Sequence, residues 1–417
     1  MSSGLPSYDQ AAAIVADYAA RLRSFRPATE TVALARAPGR VLAQSLIADQ
    51  DQPPFARSTR DGFACRAAEA SRHTKLKVTG GTHAGEPPGG PLPGRAAWEI
   101  MTGAPVPSGA DAVVMLEHVE ADAGNVRLLP SRTIKPGENI VAKGAQARAG
   151  EELLSAGSLV SPGTVALAAA CGYAALKVFT RPRVAILATG DELVPVEAAP
   201  KPGQIRNSNA PMLAAMVAAA GGEAWILPAA ADRAEALDAA LAEAVAADML
   251  IVSGGVSAGK FDLVEPALAR IGACFHFTGV RMQPGKPTVF GELPRPGDDP
   301  PLPFFGLPGN PVSTAVTFQL FAAPVLAALA GCRERLPRFV LARLAPPVDR
   351  HGKAGLTRFL PAFCDFGSSA GKPPKVRFVP WQGSGDLVAL ARSNCFAVVP
   401  EDSEGLKAGA LLRILLP

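Results

Sequence analysis

The chain has 417 residues, of which 48% are hydrophobic and 19% charged, and this length exceeds one ordinary core and predicts two to four globular domains. Lysine and arginine exceed aspartate and glutamate by only 41 to 37, so the net charge of +4 gives no support for a nucleic-acid partner. The six cysteines are scattered without a CxxC pair, which predicts buried single thiols in a reducing compartment, not disulfides or zinc ligands.

The first half of the chain changes pattern twice. Residues 7–25 predict a helix with one apolar stripe, and Asp9 and Asp17 within it argue against a signal peptide. Residues 54–147 predict a small β-rich domain, because short strands are punctuated by Gly and Pro. Residues 148–179 return to mixed strand and helix, and we expect them to pack back against the first helix. Their apolar stretch, 159–179, contains Pro162 and Lys177 and is a poor membrane span. We therefore expect a cytoplasmic protein with no membrane partner.

The second half begins with clean alternation. Between residues 180 and 330, apolar strands alternate with helices, and Asn209 is a plausible N-cap of the first helix. Such alternation predicts βαβ units in a doubly wound parallel sheet. Residues 337–417 predict short strands and turns only, and hence a compact β-barrel or sandwich. The predicted fold class is a multidomain combination of α/β and β structure.

Four segments of this region are read as hydrophobic strands that break into glycine-marked polar loops. Parallel strands direct their carboxyl ends to one crevice, where ligands bind. The loops would supply carboxylates, hydroxyls, bare backbone amides and a lysine, which suits an anionic, phosphate-bearing ligand and a metal. The segments are VAILATGDEL (184–193), MLIVSGGVSAGKFD (249–262), RMQPGKP (281–287) and FFGLPGNPVS (304–313).

The second loop nearly matches a Walker A phosphate loop, but Phe261 stands where Ser or Thr must hold magnesium, so a nucleoside triphosphatase is a weak interpretation. Backbone N–H groups without partners around Ser253, Gly254, Gly255 and Ser257 suit a phosphate or a polar heterocycle. The alternative, which an isolated SGG favours, is a tight strand-to-helix turn.

Several polar residues carry two interpretations each. Asp262 is either the cap of the next helix or a ligand contact, and Asp191 and Glu192 either cap a turn or bind Mg²⁺. Asn310 is predicted to be a helix N-cap before Pro311. The N-terminus of that helix is either simply a good helix start or also an anion-binding site. Lys286 is either a phosphate contact held in a stiff turn or an ordinary surface charge.

The ordered motifs together resemble the MoeA family, the molybdopterin molybdenumtransferases, which includes the C-terminal E domain of gephyrin. The resemblance extends from about residue 8 to 415. The motifs are STRDGFAC (58–65), IMTGAPVPSGADAVV (100–114), ATGDEL (188–193), SGGVSAGKFD (253–262), MQPGKP (282–287) and GLPGNPVS (306–313).

The resemblance implies insertion of molybdate into adenylylated molybdopterin with release of AMP, in the presence of a divalent cation, Mg²⁺. It implies a homodimer of four-domain subunits, with residues 1–53 and 148–179 as a mixed dimerisation region. The cleft would lie between the molybdopterin-binding α/β domain, 180–330, of one subunit and the β-rich domain of the other. A molybdopterin adenylyltransferase would supply the substrate, and molybdoenzyme apoproteins or cofactor carriers would receive the product.

The resemblance also implies residue roles. Asp61 and Thr102 would come from the β-rich domain, and Glu192, Asp262 and Lys286 from the α/β domain, with Asp232 a less certain match; these form the predicted catalytic set. Glu192 and Asp191 are the predicted metal ligands. The predicted cofactor-binding residues are Thr189, Gly190, Ser253, Gly254, Gly255, Ser257, Pro284, Gly285, Pro308, Gly309, Asn310 and Ser384.

The chain departs from the family in one loop, ENIVAKGAQ (138–146). Val141 and Gln146 stand where the family usually has Arg and Asp, and Lys143 or Arg60 could compensate. Two hypotheses follow. The chain is either a working molybdenum-insertion enzyme or a diverged paralogue that binds molybdopterin, or its adenylylated form, as a carrier or scaffold without efficient insertion.

Overall fold

In the computed structural model the residues described are 4–25, 27–71, 73–255, 263–295, 300–333, 336–345, 355–367, 373–401 and 406–417. The chain begins with helix α1 (Tyr8–Leu22), followed by strands β1 (Thr29–Ala33) and β2 (Leu46–Ile47). A capping box starts α1, since Ser7 Oγ accepts from Gln10 N and Gln10 Oε1 accepts from Ser7 N.

The β-rich part is a six-stranded sheet with the order β7-β4-β6-β5-β9-β8, beside a separate two-stranded ladder of β3 and β10. The residues facing its core are small and apolar, such as Ala64, Ala97 and Val113, each completely buried. The strands are β3 (Arg57–Ser58), β4 (Gly62–Cys65), β5 (Leu76–Thr82), β6 (Ala96–Ile100), β7 (Ala112–Met115), β8 (Val119–Asp122), β9 (Asn125–Leu128) and β10 (Ile140–Val141).

The following segment pairs with the start of the chain but not with α1. Strands β11 (Glu152–Leu154) and β12 (Ala175–Phe179), with helix α2 (Pro162–Ala170) between them, pair with β2 and β1 respectively. They share a hydrophobic cluster with residues 37–46, whereas the buried face of α1 lies in a different cluster. The expectation that residues 148–179 pack on the first helix is therefore wrong.

The α/β region is a six-stranded sheet with the order β16-β13-β17-β21-β20-β18. Its first four strands are parallel, as predicted, and the last two are antiparallel additions. The elements are β13 (Arg183–Ala188), β14 (Leu193–Val194), β15 (Ile205–Arg206), α3 (Asn209–Ala219), β16 (Glu223–Ile226), α4 (Ala234–Ala244), β17 (Met249–Ser253), α5 (Val264–Arg270), β18 (Cys274–Phe277), β19 (Met282–Gln283), β20 (Val289–Leu293), β21 (Leu302–Leu307), α6 (Pro311–Thr317), a π-helical turn (Phe318–Ala322) and α7 (Ala323–Leu329).

Both faces of this sheet are covered, which explains its continuous apolar strands. Val184 and Ile186 of β13 lie in the cluster that contains α1, α3 and α7, while Ala185 and Leu187 lie in the cluster that contains α4 and α5. Successive side chains thus enter opposite layers, as expected for a strand buried on two sides. The predicted doubly wound architecture is confirmed.

The last part of the chain forms a closed β-barrel. Its strands run in the order β24-β22-β26-β25, and β23 pairs with both β24 and β25 to close the ring. The elements are β22 (Phe339–Leu344), β23 (Thr357–Asp365), β24 (Lys375–Phe378), α8 (Leu387–Arg392), β25 (Cys395–Val399) and β26 (Leu411–Leu415). The barrel prediction is confirmed, but the expectation of strands and turns only is wrong, because Asp386 caps the short helix α8 by accepting from Ala389 N.

Strand β19 corrects a second expectation. The MQPGKP segment was predicted to end a strand of the α/β sheet, but Met282 and Gln283 pair with Thr357 and Arg358 of the barrel strand β23. The two regions therefore share a sheet. The predicted domain bounds, 1–53 with 148–179, 54–147, 180–330 and 337–417, stay a prediction.

The structure also shows how far the cysteines are buried and where the most apolar helix lies. Five of the six cysteines are buried, but Cys274 is exposed, against the expectation that every thiol is buried. One helical run in the described residues, Pro311–Leu329, is long and apolar enough to cross a membrane. Of that run, 83% is buried inside the fold, where it packs against α1 and the α/β sheet.

Candidate active site

A cleft of about 840 Å³ lies at the carboxyl ends of the parallel strands β13, β17 and β21. This is the edge at which open α/β sheets bind ligands. All four predicted segments reach it, the RMQPGKP segment through Pro287, together with the start of α3 and a loop of the barrel. The polar and glycine residues lining it are Thr189, Gly190, Glu192, Gln204, Arg206, Asn207, Ser208, Asn209, Asp232, Ser253, Gly254, Gly255, Gly309, Asn310 and Gly385.

Glycine backbone, without side chains, forms the floor of the cleft. Gly254 has a φ of +95°, and a Cβ there would lie 2.6 Å from the Thr189 carbonyl oxygen. Gly255 has a φ of +62°, and a Cβ there would lie 2.8 Å from Thr189 Oγ1. Only glycine combines this backbone conformation with so close an approach. The TGDEL and SGG loops are therefore pressed together at the sheet edge.

Asn209 joins two of these loops. Its Nδ2 donates to Ser253 Oγ at 2.9 Å and to Gly309 O at 2.7 Å. The interpretation of Asn209 as the N-cap of α3 is wrong: Ser208 occupies the cap position, and Asn207 Oδ1 accepts from Ala210 N. The only sequence signal was an amide close to a helix start, which local pattern assigns to capping.

The barrel contributes one wall through the loop around Ser384. Asn310 Nδ2 donates to Ser384 Oγ at 3.0 Å, and Val312 N donates to Ser384 O at 3.0 Å. Asn310 is the N-cap residue of α6, as predicted, but its side chain contacts the barrel loop and makes no capping bond. Pro308 and Gly309 line the cleft beside it.

Two carboxylates face the cleft. Glu192 and Asp232 are exposed and line it, whereas Asp191 does not, and Asp191 Oδ1 accepts from Asp232 N at 3.0 Å. The Glu192 carboxylate lies over Gly190, where a Cβ would come within 2.5 Å of Oε2. Within the described ranges no group of three or more His, Cys, Asp or Glu side chains is arranged to hold a metal. Metal binding here would rest on one or two carboxylates.

Asp61 and Thr102 form a second polar site, in the β-rich part. Thr102 donates to Asp61 Oδ1 twice, from its backbone N at 2.6 Å and from Oγ1 at 2.8 Å. These two bonds, the backbone one first, hold the pKa of Asp61 below its usual value. The structure thus brings this predicted pair together, but neither residue lines the cleft of the same chain.

Known proteins and family models match this chain along nearly its whole length. Family models match for the MoeA N-terminal region (domain I and II) over residues 6–172, a probable molybdopterin binding domain over 185–328 and the MoeA C-terminal region (domain IV) over 343–416. The molybdopterin molybdenumtransferase of Nostoc sp. is 36% identical over 425 residues, covering 99% of this chain and 94% of that protein. The chain belongs to the MoeA family.

Other MoeA relatives agree. The molybdopterin molybdenumtransferase of Bacillus subtilis is 36% identical over 401 residues, covering 93% of this chain and 90% of that protein. The crystal structure of the molybdopterin biosynthesis MoeA protein from Pyrococcus horikoshii OT3 matches with a TM-score of 0.78 and 29% identity, covering 99% of this chain and 100% of that one. The predicted family is therefore confirmed over the full fold.

Not every residue predicted from the MoeA resemblance reaches the cleft. Lys286 is exposed and is not among the lining residues, although its neighbour Pro287 is; Pro284 and Gly285 are buried beside it. Ser257 and Asp262 lie outside the described residues. The individual roles of all these residues stay predictions.

The loop that departs from the MoeA pattern lies against the β-rich sheet. Val141 is half-buried and pairs with Arg57 across the β3–β10 ladder, while Gln146 is exposed. Lys143 Nζ lies 3.6 Å from Asp51 Oδ2, in an exposed ion pair. Lys143, one of the two cations proposed to compensate for Val141, is thus paired with a carboxylate of the preceding segment.

Sequence reasoning also missed Arg206. It lies thirteen positions after the end of the TGDEL motif, matches no motif, and is the one lysine or arginine among the described lining residues. No sequence signal singled it out.

Proposed function

We propose that this chain inserts molybdate into adenylylated molybdopterin and releases AMP, in a Mg²⁺-dependent reaction. The observation that carries the proposal is the meeting of the TGDEL, SGG and PGNP loops in one cleft, where two carboxylates face bare backbone. The MoeA relatives support it, because the similar curated proteins are named as molybdopterin molybdenumtransferases. The same names favour the enzyme over the carrier hypothesis.

The residues present fit a magnesium ion. Mg²⁺ is usually held by one or two carboxylates plus substrate phosphates, and Glu192 and Asp232 supply such a pair at the cleft wall. We propose that these two side chains hold the ion, with Asp191 positioning the Asp232 loop through its bond to the Asp232 amide. A bound Mg²⁺ would neutralise charge on the phosphate oxygens of the substrate.

The chain's own groups have the remaining tasks. Cleavage of a phosphoanhydride builds negative charge on the departing phosphate, and preorganised N–H donors stabilise such charge. The glycine backbone at Gly254 and Gly255 allows a ligand to approach these amides closely. Asn209 and Ser384 hold the SGG, PGNP and barrel loops in place around it.

We further propose a cytoplasmic homodimer whose clefts are shared between subunits. Asp61 and Thr102 are bonded to each other and exposed, but do not line the cleft of their own chain. A second subunit could present this pair to the cleft. The substrate would come from a molybdopterin adenylyltransferase, and the product would pass to molybdoenzyme apoproteins or cofactor carriers.

The activity is tested by incubating the purified protein with adenylylated molybdopterin, Mg²⁺ and molybdate. We expect molybdate-dependent release of AMP, and Glu192→Gln should reduce turnover far more than substrate binding. Tight binding without AMP release would exclude insertion and leave the carrier hypothesis.

The shared cleft is tested by complementation. Asp61→Ala and Glu192→Gln should each inactivate the homodimer, and mixing the two with subunit exchange should restore activity. Restoration is expected because one cleft of each mixed dimer then combines an intact Glu192 with an intact Asp61. No restoration, with exchange verified by mass, would place both residues in a site within one subunit.

A further inference from the structure

The charges around the cleft are unbalanced for the ligand proposed above. Among the described lining residues, Glu192 and Asp232 carry negative charge and Arg206 alone carries positive charge. Adenylyl phosphate and molybdate are both tetrahedral oxyanions. A Mg²⁺ held by the two carboxylates would offset only the charge of those carboxylates, so the charge of the anion calls for a further cation from the protein. Lys286, the lysine expected to meet this need, is not part of the lining.

Arg206 is held in the cleft wall by the backbone around it. Strand β15, which contains it, pairs with β14 immediately after Glu192: Ile205 N donates to Glu192 O at 2.8 Å, and Asn207 N donates to Val194 O at 2.9 Å. The cation and the acid are thus carried on one small two-stranded ladder.

The guanidinium is fixed on one side only. Its Nε donates to Ala198 O at 3.0 Å, and within the described residues neither terminal nitrogen has an acceptor. A guanidinium presents its donors in a rigid planar fork that matches two oxygens of a phosphate-like anion. With Nε occupied, the pair of terminal nitrogens remains to meet such an anion.

We infer that Arg206 binds a tetrahedral oxyanion of the reaction, either the phosphate of the adenylyl group or molybdate itself. The inference rests on the proposed function for the identity of the anion. Arg206 would then be the main protein cation among the described lining residues, although it lies outside every motif of the sequence.

The test measures binding without turnover. Isothermal titration with AMP, and separately with molybdate, compares the full-length protein with Arg206→Met, which keeps the apolar stem but removes the charge. We expect the Kd for one of the two ligands to rise roughly 10- to 100-fold, the usual loss for a hydrogen bond to a charged group. A rise for AMP assigns Arg206 to the adenylyl phosphate, and a rise for molybdate assigns it to the metal oxyanion.

Two further variants make the result specific. Arg206→Lys loses the Nε bond to Ala198 but keeps the positive charge, so it should retain a measurable part of the affinity. Arg127→Met removes an exposed arginine paired with Glu120, in the β-rich sheet, and should leave both Kd values unchanged. Higher salt should weaken binding to the wild type more than to Arg206→Met.

The inference is overturned if Arg206→Met binds both anions as tightly as the wild type. It is also overturned if the Lys and Met variants lose affinity equally, because the loss then reflects the Nε bond to Ala198. Failure of the wild type to release AMP would remove the proposed reaction, while anion binding that depends on Arg206 would stand.

Discussion

The side-chain amide of Asn209 donates to Ser253 Oγ at 2.9 Å, and this bond connects the first residue of α3 to the end of β17. The same nitrogen donates to Gly309 O, which can only accept, so the orientation of the amide is determined by its partners. Ser253 is 2% exposed, and Asn209 Oδ1 is buried without a partner among the described residues. One amide group thus sets the spacing of two cleft loops.

Replacing Asn209 should therefore disturb both stability and ligand binding. Asn209→Ala leaves a buried hydroxyl and a backbone carbonyl without their donor, at a cost of about 1–3 kcal/mol in unfolding free energy. Asn209→Asp should cost more, because it places an oxygen against the Gly309 carbonyl. Urea denaturation and the KM for AMP release measure the two effects.

Asn125→Ala serves as the control, since among the described residues its amide contacts only Ala123 O, at 3.4 Å and exposed. If Asn209→Ala matched this control in both stability and KM, the amide would have no positioning role. Rescue by Asn209→Gln is not expected, because the longer side chain cannot keep both bonds.

Gly254 provides a second test of the cleft floor. Gly254→Ala forces a Cβ to within 2.6 Å of the Thr189 carbonyl oxygen at a φ of +95°, so the loop must move. The left-handed backbone alone costs a non-glycine residue about 1–2 kcal/mol. We expect a lower melting temperature and loss of AMP release.

The matched control is Gly94→Ala, where a Cβ would meet nothing within 4 Å and no positive φ is required. It should melt and react like the wild type. Normal activity of Gly254→Ala would show that the floor of the cleft tolerates a side chain.

Local sequence pattern reveals some of the contacts in this fold and not others. The buried strands ending at Ala188, Ser253 and Leu307 were predictable, because long apolar runs before glycine loops are typical of parallel strands. The position of Met282 was not, since a two-residue strand has no periodicity and its partner, Thr357, lies far along the chain.

Local pattern also failed to reveal the roles of two polar residues, Asn209 and Arg206. Asn209 resembled a helix cap because its true partners lie 44 and 100 residues away. Arg206 lies on an exposed two-residue strand, where hydrophobic periodicity gives no information. Motif order identified the family, but tertiary contacts decided which side chains meet.

The Asp61–Thr102 pair gives a prediction about protonation. Thr102→Val removes the Oγ1 donor and keeps the backbone donor, so the pKa of Asp61 should rise part of the way to its usual value. Because the pKa is depressed in the folded protein, the stabilisation is present above the unfolded pKa and is lost as pH falls through the folded pKa. Carbon-13 NMR titration of the Asp61 carboxyl measures the change.

Thr79→Val is the control, since in the described part of the chain Thr79 Oγ1 contacts only Ala97 O, at 3.5 Å, within the same sheet. It should leave the Asp61 titration unchanged. An identical titration in Thr102→Val would mean that the backbone amide alone depresses the pKa.

The packing of α1 against the α/β sheet should depend on pH through His276. The imidazole lies between Tyr18 of α1 and Phe290 of β20, with ring centroids 5.2 and 4.9 Å away. Burial lowers the pKa of His276 from its usual 6.5, despite the opposing charge of Glu292, whose Oε2 lies 3.8 Å from Nε2. Arg21 also opposes protonation. The folded protein therefore favours the neutral ring.

The sign of the effect follows from this lowered pKa. Above pH 6.5 the ring is neutral in both the folded and the unfolded chain, so its full contribution to stability is present. As pH falls through 6.5, the unfolded chain takes up a proton first, and stability declines by at most about 1.4 kcal/mol per pH unit until the folded ring is also protonated.

Urea denaturation of the wild type and of His276→Phe between pH 5 and 8 should show a smaller decline in the variant. His83→Gln, at a histidine whose side chain is 68% exposed, should keep the wild-type decline. Parallel curves for the wild type and His276→Phe would mean that protonation of other groups produces the acid sensitivity.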